Sequence, residues 1–390
     1  MAFYLVLLVT LLNHISFKGS KILISLFAID LGATPMTIGV LFAMYSVFPV
    51  FLSVYAGKVS DRLGFRWPMV FGSVGLLCGL LLPYAVPSLT ALFVSATLIG
   101  MCYIFYIVSV QHLIGSMGEG IARTRNYSIF SVCVGLTALI GPTTAGFAID
   151  GVGHRSTYLL LAAFPVVPII VLMFLKSYLP QPRRHDEPRT GQRVMDLLGN
   201  VPLRRVLITA GILETGNELV NFLLPIYGHS IGLTASEIGL VIGGFGSALL
   251  LIRALMPALV RRWSEEQVLG GSMLLAALTC LAFPLVESFA LLLCVAFVMG
   301  LGLGCGAPLS LVLSYNRAPA GRSGEAMGLR QTVNKGTEVL VPIVFGTLST
   351  AVGMLPVFWL DAVMLGIGGW LMRREGGLAG KPAPEKTRAA

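Results

Sequence analysis

His14, Lys18 and Lys21 recur at spacings of four and three inside the first hydrophobic stretch of the sequence. Those intervals put all three on one face of a helix. An imidazole and two ammonium groups so placed could bind an anion or exchange a proton. They need shelter, because a lysine at the centre of a bilayer span costs at least about 2.5 kcal/mol. Arg330, Asn334 and Glu338 follow at four-residue intervals with Lys335 beside them, a second polar face inside an apolar segment. It could bind an anionic group and relay a proton, or satisfy itself as a side-chain ladder.

The elements that must position these residues are membrane spans. Of 390 residues 56% are hydrophobic and only 12% charged, with a mean hydropathy of +0.85, values outside any soluble globular class. Met1-Ala2-Phe3-Tyr4 carries no basic n-region and no A-x-A-like cleavage site follows, so the first stretch reads as a retained span. A formal charge of +9 would suggest nucleic acid in a soluble domain. Here the basic residues fall between apolar segments on alternate sides, which is topology and excludes a nucleic-acid partner. Cys78, Cys102, Cys133, Cys280, Cys294 and Cys305 lie in apolar runs without C-x-x-C spacing, so they read as buried packing residues, with no metal site or disulfide framework. No glycine loop ending in Lys-Ser/Thr is present, and neither a nucleotide nor any other cofactor is expected.

With about 20 apolar residues per crossing, spans are expected near 3–29, 37–57, 68–87, 89–114, 126–149 and 156–178, then near 203–228, 236–259, 267–286, 288–314, 325–350 and 355–372. This gives a six-span bundle over 1–178, a polar linker over 179–202, a second six-span bundle over 203–374 and a tail over 375–390. Lys58, Arg62, Arg66, Arg123, Arg125, Arg183, Arg184, Arg189, Arg193, Arg261, Arg262, Arg317, Arg322, Arg373 and Arg374 share the side of both termini, against Arg155 alone in an opposite loop. The positive-inside rule makes that side, with linker and tail, cytoplasmic.

A constant shift of 200 residues aligns the halves: Asp30-Leu31-Gly32-Ala33-Thr34 falls on Ser230-Ile231-Gly232-Leu233-Thr234, Arg62 on Arg262, Pro142 on Pro342, Gly146 on Gly346 and Gly153 on Gly353. Thr34 before Pro35 is suited to cap a helix, and Thr234-Ala-Ser-Glu237 is a capping box. The same shift sets His14, Lys18 and Lys21 on Glu214, Glu218 and Asn221. The first helices of both halves then carry polar residues at the same depth and on the same helical face, basic in span one and acidic in span seven. Lys18 and Glu218 are either a fixed ion pair or part of a site whose protonation states are coupled.

Gly57-Lys58-Val59-Ser60-Asp61-Arg62-Leu63-Gly64-Phe65-Arg66 resembles the loop signature of the major facilitator superfamily, G-x-x-x-D-R-x-G-R-[KR], with Phe65 in place of a basic residue. Gly141-Pro142-Thr143-Thr144-Ala145-Gly146 resembles that family's antiporter motif, G-P-x-x-G-G, with Ala145 replacing a glycine. The resemblance covers essentially the whole chain. It implies an all-α membrane fold of twelve helices in two pseudo-symmetric bundles, with spans one, four, seven and ten lining a central cavity. It also implies a conformational latch at Gly57, Asp61, Arg62, Gly64 and Arg66, for which Arg125 is a candidate partner, and a packed hinge at Gly141, Pro142 and Gly146. Span four lacks the arginine usual in the family's proton-linked exporters.

The expected function is alternating-access secondary transport of a small organic solute, anionic or zwitterionic, by a monomer in the plasma (inner) membrane. Proton-coupled efflux is favoured over proton-coupled uptake of an organic anion. His14, Lys18, Lys21, Glu214, Glu218, Asn221, Arg330, Asn334, Lys335 and Glu338 are the candidates for binding substrate and protons. Arg253 could snorkel to the cytoplasm, His112 is interfacial, Tyr103 and Tyr106 could stack on a substrate, and Asp361 is an intramembrane carboxylate without an assignable partner. A polytopic membrane transferase would show a His/Asp or Ser/His/Asp cluster at one face, and His154, His185 and His229 instead read as isolated. A lipid flippase on the same fold is a further reading.

Overall fold

The computed structural model describes residues 2–117, 120–174, 194–319 and 323–378, and among these every regular element is helical. The order is α1 (Ala2–Asp30), α2 (Pro35–Leu63), α3 (Arg66–Ala85), α4 (Leu89–Ser116), α5 (Gly120–Phe174), α6 (Val201–Glu218), α7 (Leu224–Ser230), α8 (Ala235–Arg262), α9 (Glu265–Ala282), α10 (Phe289–Gly304), α11 (Gly306–Asn316), α12 (Ser323–Val352) and α13 (Leu355–Leu378). Gly153, at φ 80° and ψ 166°, breaks α5 into spans five and six. Span seven is α6, a π turn over Leu219–Leu223, and α7. Span ten is α10 and α11, interrupted at Cys305 rather than continuous. The fold is all-α, twelve membrane helices in two bundles.

Nine helices among the described residues are long and apolar enough to cross a bilayer, one of them the 46-residue stretch Ile129–Phe174 that Gly153 divides. Spans seven and eleven fall outside that set. They are the spans bearing Glu214, Glu218, Arg330, Lys335 and Glu338, and such charges are tolerated only where protein or water shelters them. Phe71, Phe147, Ile208, Leu278 and Ile367 stand exposed, as side chains facing lipid do.

The repeat is visible in the backbone. Gly32 and Gly232, at φ 79° and 83°, end their helices in the same left-handed turn, which only glycine adopts at no steric cost. The Thr34 and Thr234 hydroxyls then accept the amides of Thr37 and Glu237, both at 3.3 Å. Gly153 and Gly353 are a second repeated pair of positive-φ glycines, at φ 80° and 86°.

Two seams join the bundles, α5 against α8 and α2 against α12. In the first, a Cβ on Gly239 would stand 2.7 Å from the Pro142 carbonyl oxygen, and one on Gly146 would strike that of Ala235. In the second, a Cβ on Gly39 would strike the Pro342 carbonyl and one on Gly346 would stand 2.7 Å from that of Pro35. The Asp150 carboxylate accepts the Ala235 and Ser236 amides at 3.1 and 2.7 Å, capping α8 from the other bundle. Thr350 Oγ1, two hundred residues on, accepts the Met36 amide at 3.0 Å at the start of α2. These contacts close the face opposite the termini.

Several local expectations change. Gly57 to Leu63 are the last turns of α2 rather than a loop, and only Gly64 (φ 76°) and Phe65 connect it to α3. The linker expected over 179–202 is structured at its end: Val194–Gly199 is a 3-10 helix whose Leu197 packs with Leu203, Leu207 and Ala326. Cys78 and Cys294 are exposed, not buried. The charged run 181–189 lies outside the described residues.

Candidate functional site

Three helices bring charge to the middle of the molecule. From α1, Lys21 Nζ lies 3.6 Å from Glu218 Oε1 of α6, across the bundle boundary, with the two side chains 10% and 5% exposed. Lys21 also lies 5.6 Å from the centre of the Phe42 ring, and Phe42 meets Phe222 of the other bundle edge-on. On α12, Lys335 Nζ donates to both Glu338 oxygens at 2.5 and 2.7 Å. Ser46 of α2 donates to Glu338 Oε2 at 2.6 Å, a second crossing of the boundary. Lys18, Lys21, Glu214, Glu218, Lys335 and Glu338 interact electrostatically as one group.

The pairing departs from the expected one. Lys21, not Lys18, meets Glu218, because the stem of Lys18 is held against Gly141 of α5, where a Cβ would approach Lys18 Cβ to 2.8 Å. Among the described residues Lys18 has no carboxylate within ion-pair distance, and Glu214 has no cation within that distance. Arg330 is likewise without a carboxylate. It is 8% exposed, gives one hydrogen bond from Nη1 to Ser310 Oγ at 3.1 Å, and leaves Nε unpartnered. Glu214 is the acid whose field reaches it. An Arg330–Asn334–Glu338 ladder does not form, since Lys335 takes Glu338 and Asn334 Oδ1 is buried without a partner.

His14 turns away from the acidic helix, contrary to the expectation of one basic face. Its Nδ1 is 2.8 Å from the Tyr103 hydroxyl and 3.2 Å from the Thr10 carbonyl. Tyr103 stacks on Phe17 at 4.2 Å and on Tyr106 at 5.5 Å. Asn13 Nδ2 donates to Ser73 Oγ at 2.9 Å. His14 and both tyrosines thus belong to a polar seam inside the first bundle. Asn221 donates to the Asn217 carbonyl of its own helix at 2.7 Å, in the π turn, a feature that concentrates near functional sites. Arg253 is half-buried, and its Nε donates to the Gly304 carbonyl at 3.2 Å.

Arg66 is committed within the first bundle, donating to the Leu172 and Met173 carbonyls, both at 2.6 Å. Phe65, the departure from the family signature, is core: 2% exposed and edge-on to His112 at 5.0 Å. The side chains of Asp61, Arg62 and Arg125, like those of Glu119 and Glu325, lie outside the described residues. Gly141, Pro142 and Gly146 are brought together with α1 and α8, as the close approaches above show.

Three features were not foreseen. Ser46 occupies the position of Gly246 in the repeat, and a hydroxyl there was the available signal. Asp361, fully buried, has two neighbours, Thr215 Oγ1 at 2.5 Å and Cys280 Sγ at 3.6 Å. His154 is not isolated: it stacks on Phe27 at 5.5 Å and lies 3.7 Å from Asp30.

The fold of two helical bundles recurs in known proteins. The family model described as Major Facilitator Superfamily matches residues 6–214 and again 206–389. The chain is similar to quinolone resistance protein NorA of Staphylococcus aureus (strain MRSA252), 20% identical over 343 residues, covering 86% of this chain and 87% of that protein. It is equally similar to the MFS-type transporter YuxJ of Bacillus subtilis (strain 168), 20% over 350 residues, covering 86% and 88%. Among solved structures, a variant of the nucleoside transporter NupG superposes with a TM-score of 0.80 at 14% identity, covering 96% of this chain and 99% of that one. A variant of a peptide transporter POT in complex with sulfate gives 0.80 at 14%, covering 96% and 95%.

Proposed function

Because the chain belongs to the major facilitator superfamily and is a multi-pass secondary transporter rather than an enzyme, we propose that it exports a small organic zwitterion in exchange for protons. Both termini face the cytoplasm in this reading. The observation that carries it is the charge arrangement. Four cations, Lys18, Lys21, Arg330 and Lys335, stand against three carboxylates, Glu214, Glu218 and Glu338. Two of those cations, Lys18 and Arg330, and one carboxylate, Glu214, have no ion-pair partner among the described residues.

Arg330 is buried and Lys18 and Glu214 are half-buried; charges withdrawn from water without partners are costly, and a ligand bearing the complementary groups relieves that cost. The carboxylate or other anionic end of a solute fits Arg330 and Lys18, and its ammonium fits Glu214. An ammonium and a proton exclude each other on Glu214, and mutual exclusion is the requirement for exchange. The far-side seams supply the complementary half of alternating access, since a closed far face must open for release. Similarity to a quinolone resistance protein and the Gly141-Pro142 to Gly146 motif support the outward direction.

A simple anion would behave differently. It would bind best when Glu214 is neutral and the excess of positive charge is largest, so anion and proton would travel together. The excess of one cation over the carboxylates favours this as the second reading, uptake by symport. A counterflow screen of labelled organic zwitterions, anions and cations in proteoliposomes separates the two. Zwitterions should exchange, and Arg330→Met and Lys18→Ala should each raise the half-saturation concentration at least about tenfold, the loss of one charge-assisted hydrogen bond. Exchange of cations alone, unaffected by either substitution, would overturn the site.

A further inference from the structure

We propose that Asp361 is a proton-binding site separate from the central carboxylates, occupied in this state, whose proton ties span seven to span twelve. Burial without a counter-charge carries the inference, and the geometry accommodates the proton. Thr215 Oγ1 lies 2.7 Å from the Ile212 carbonyl and 2.5 Å from Asp361 Oδ1. A hydroxyl has one hydrogen, and a carbonyl has none. With the Thr215 hydrogen directed to the Ile212 carbonyl, a carboxyl hydrogen on Asp361 fills the short contact. The chain is then Asp361 O–H to Thr215 O–H to the Ile212 carbonyl, with the Cys280 thiol donating to Oδ2 at 3.6 Å.

The surroundings agree. Asp361 is fully buried, and an ionised carboxylate in such a place needs a cation or several strong donors. Cys280 of α9 is the one titratable group that bears on it, α6 contributes Thr215, and no cation does so among the described residues. The repeat gives no structural reason for an acid here, since the equivalent residue of the first bundle is Leu161, fully buried and apolar. Thr215 directly follows Glu214. Loss of the Asp361 proton would place an uncompensated carboxylate in the wall from which Glu214 faces the centre and turn the Thr215 hydroxyl toward it, without any group of the central site taking part.

Infrared difference titration of the purified protein in lipid tests this without reference to any solute. The wild type should show a carboxylic-acid carbonyl band that is absent in Asp361→Asn and disappears on raising the pH. In Thr215→Val, which keeps shape but removes the acceptor, the same band should move to higher frequency. This variant also keeps the test available if Asp361→Asn does not fold. Superimposable spectra of wild type and Asp361→Asn throughout the carboxylic-acid region would overturn the proposal. So would a band that persists at every pH at which the protein stays folded.

Discussion

The two seams between the bundles share one backbone design and differ in chemistry. Gly239 and Gly246 of α8 lie against the backbone of Pro142 and Ala138 of α5, and Gly243 between them lies against the Thr143 and Leu139 side chains. The α2–α12 seam begins alike, with Gly39 against Pro342 and Gly346 against Pro35. Toward the middle, the places of Gly246 and Ala138 are taken by Ser46 and Glu338, and that of Gly135 by Lys335. Small residues allow close helix approach in lipid, and the repeat has kept them wherever closure is made. Beside the central site an ion pair, Lys335–Glu338, has entered the α2–α12 seam, where the other seam has Gly135 and Ala138, so closing and chemistry are separable properties of one duplicated framework.

The comparison is most sharply tested at the shared part. Gly39→Val and Gly239→Val each force a side chain onto a proline carbonyl, and overpacking costs about 3 kcal/mol, roughly a hundredfold in the closed-to-open ratio. In protein with its native cysteines replaced and Phe42→Cys introduced, an impermeant thiol reagent applied from the far side should react faster in both variants. An effect in one alone would break the equivalence of the seams.

Glu338→Gln acts where the seams differ. It removes the negative charge that Lys335 meets and leaves one acceptor oxygen where Lys335 and Ser46 both donate, and a hydrogen bond to a charged group contributes about 1.5–3 kcal/mol. Thermal stability in lipid should fall by several degrees, whereas Ala138→Ser at the equivalent place should change little. A smaller difference separates the caps. Asp150→Ala removes two amide contacts at the start of α8 and costs about 1–2 kcal/mol. Thr350→Val removes one and costs about 0.5–1 kcal/mol. Reversal of that order in far-side accessibility would show that the carboxylate is not the stronger closure.

Much of this framework was legible in the sequence because it rests on local rules. Apolar run length, the Thr34 and Thr234 caps and the glycines of the repeat each act within a few residues. The site was less so. That Lys21 rather than Lys18 meets Glu218 depends on Gly141 occupying the space beside Lys18, a contact between spans one and five. That His14 serves the first bundle depends on where Tyr103 stands. The π turn after Glu218 and the break at Cys305 re-aim side chains by a fraction of a turn, below what helical periodicity resolves. Asp361 found its partners on two other spans.

The direction of proton movement during solute exchange bears most directly on the proposed function. In proteoliposomes of wild-type protein with a pH-sensitive dye inside, a zwitterion identified by counterflow should leave as protons enter. Glu214→Gln should abolish the proton signal while solute-for-solute exchange continues. Solute and proton moving in the same direction, or a full proton signal in Glu214→Gln, would contradict exchange at Glu214.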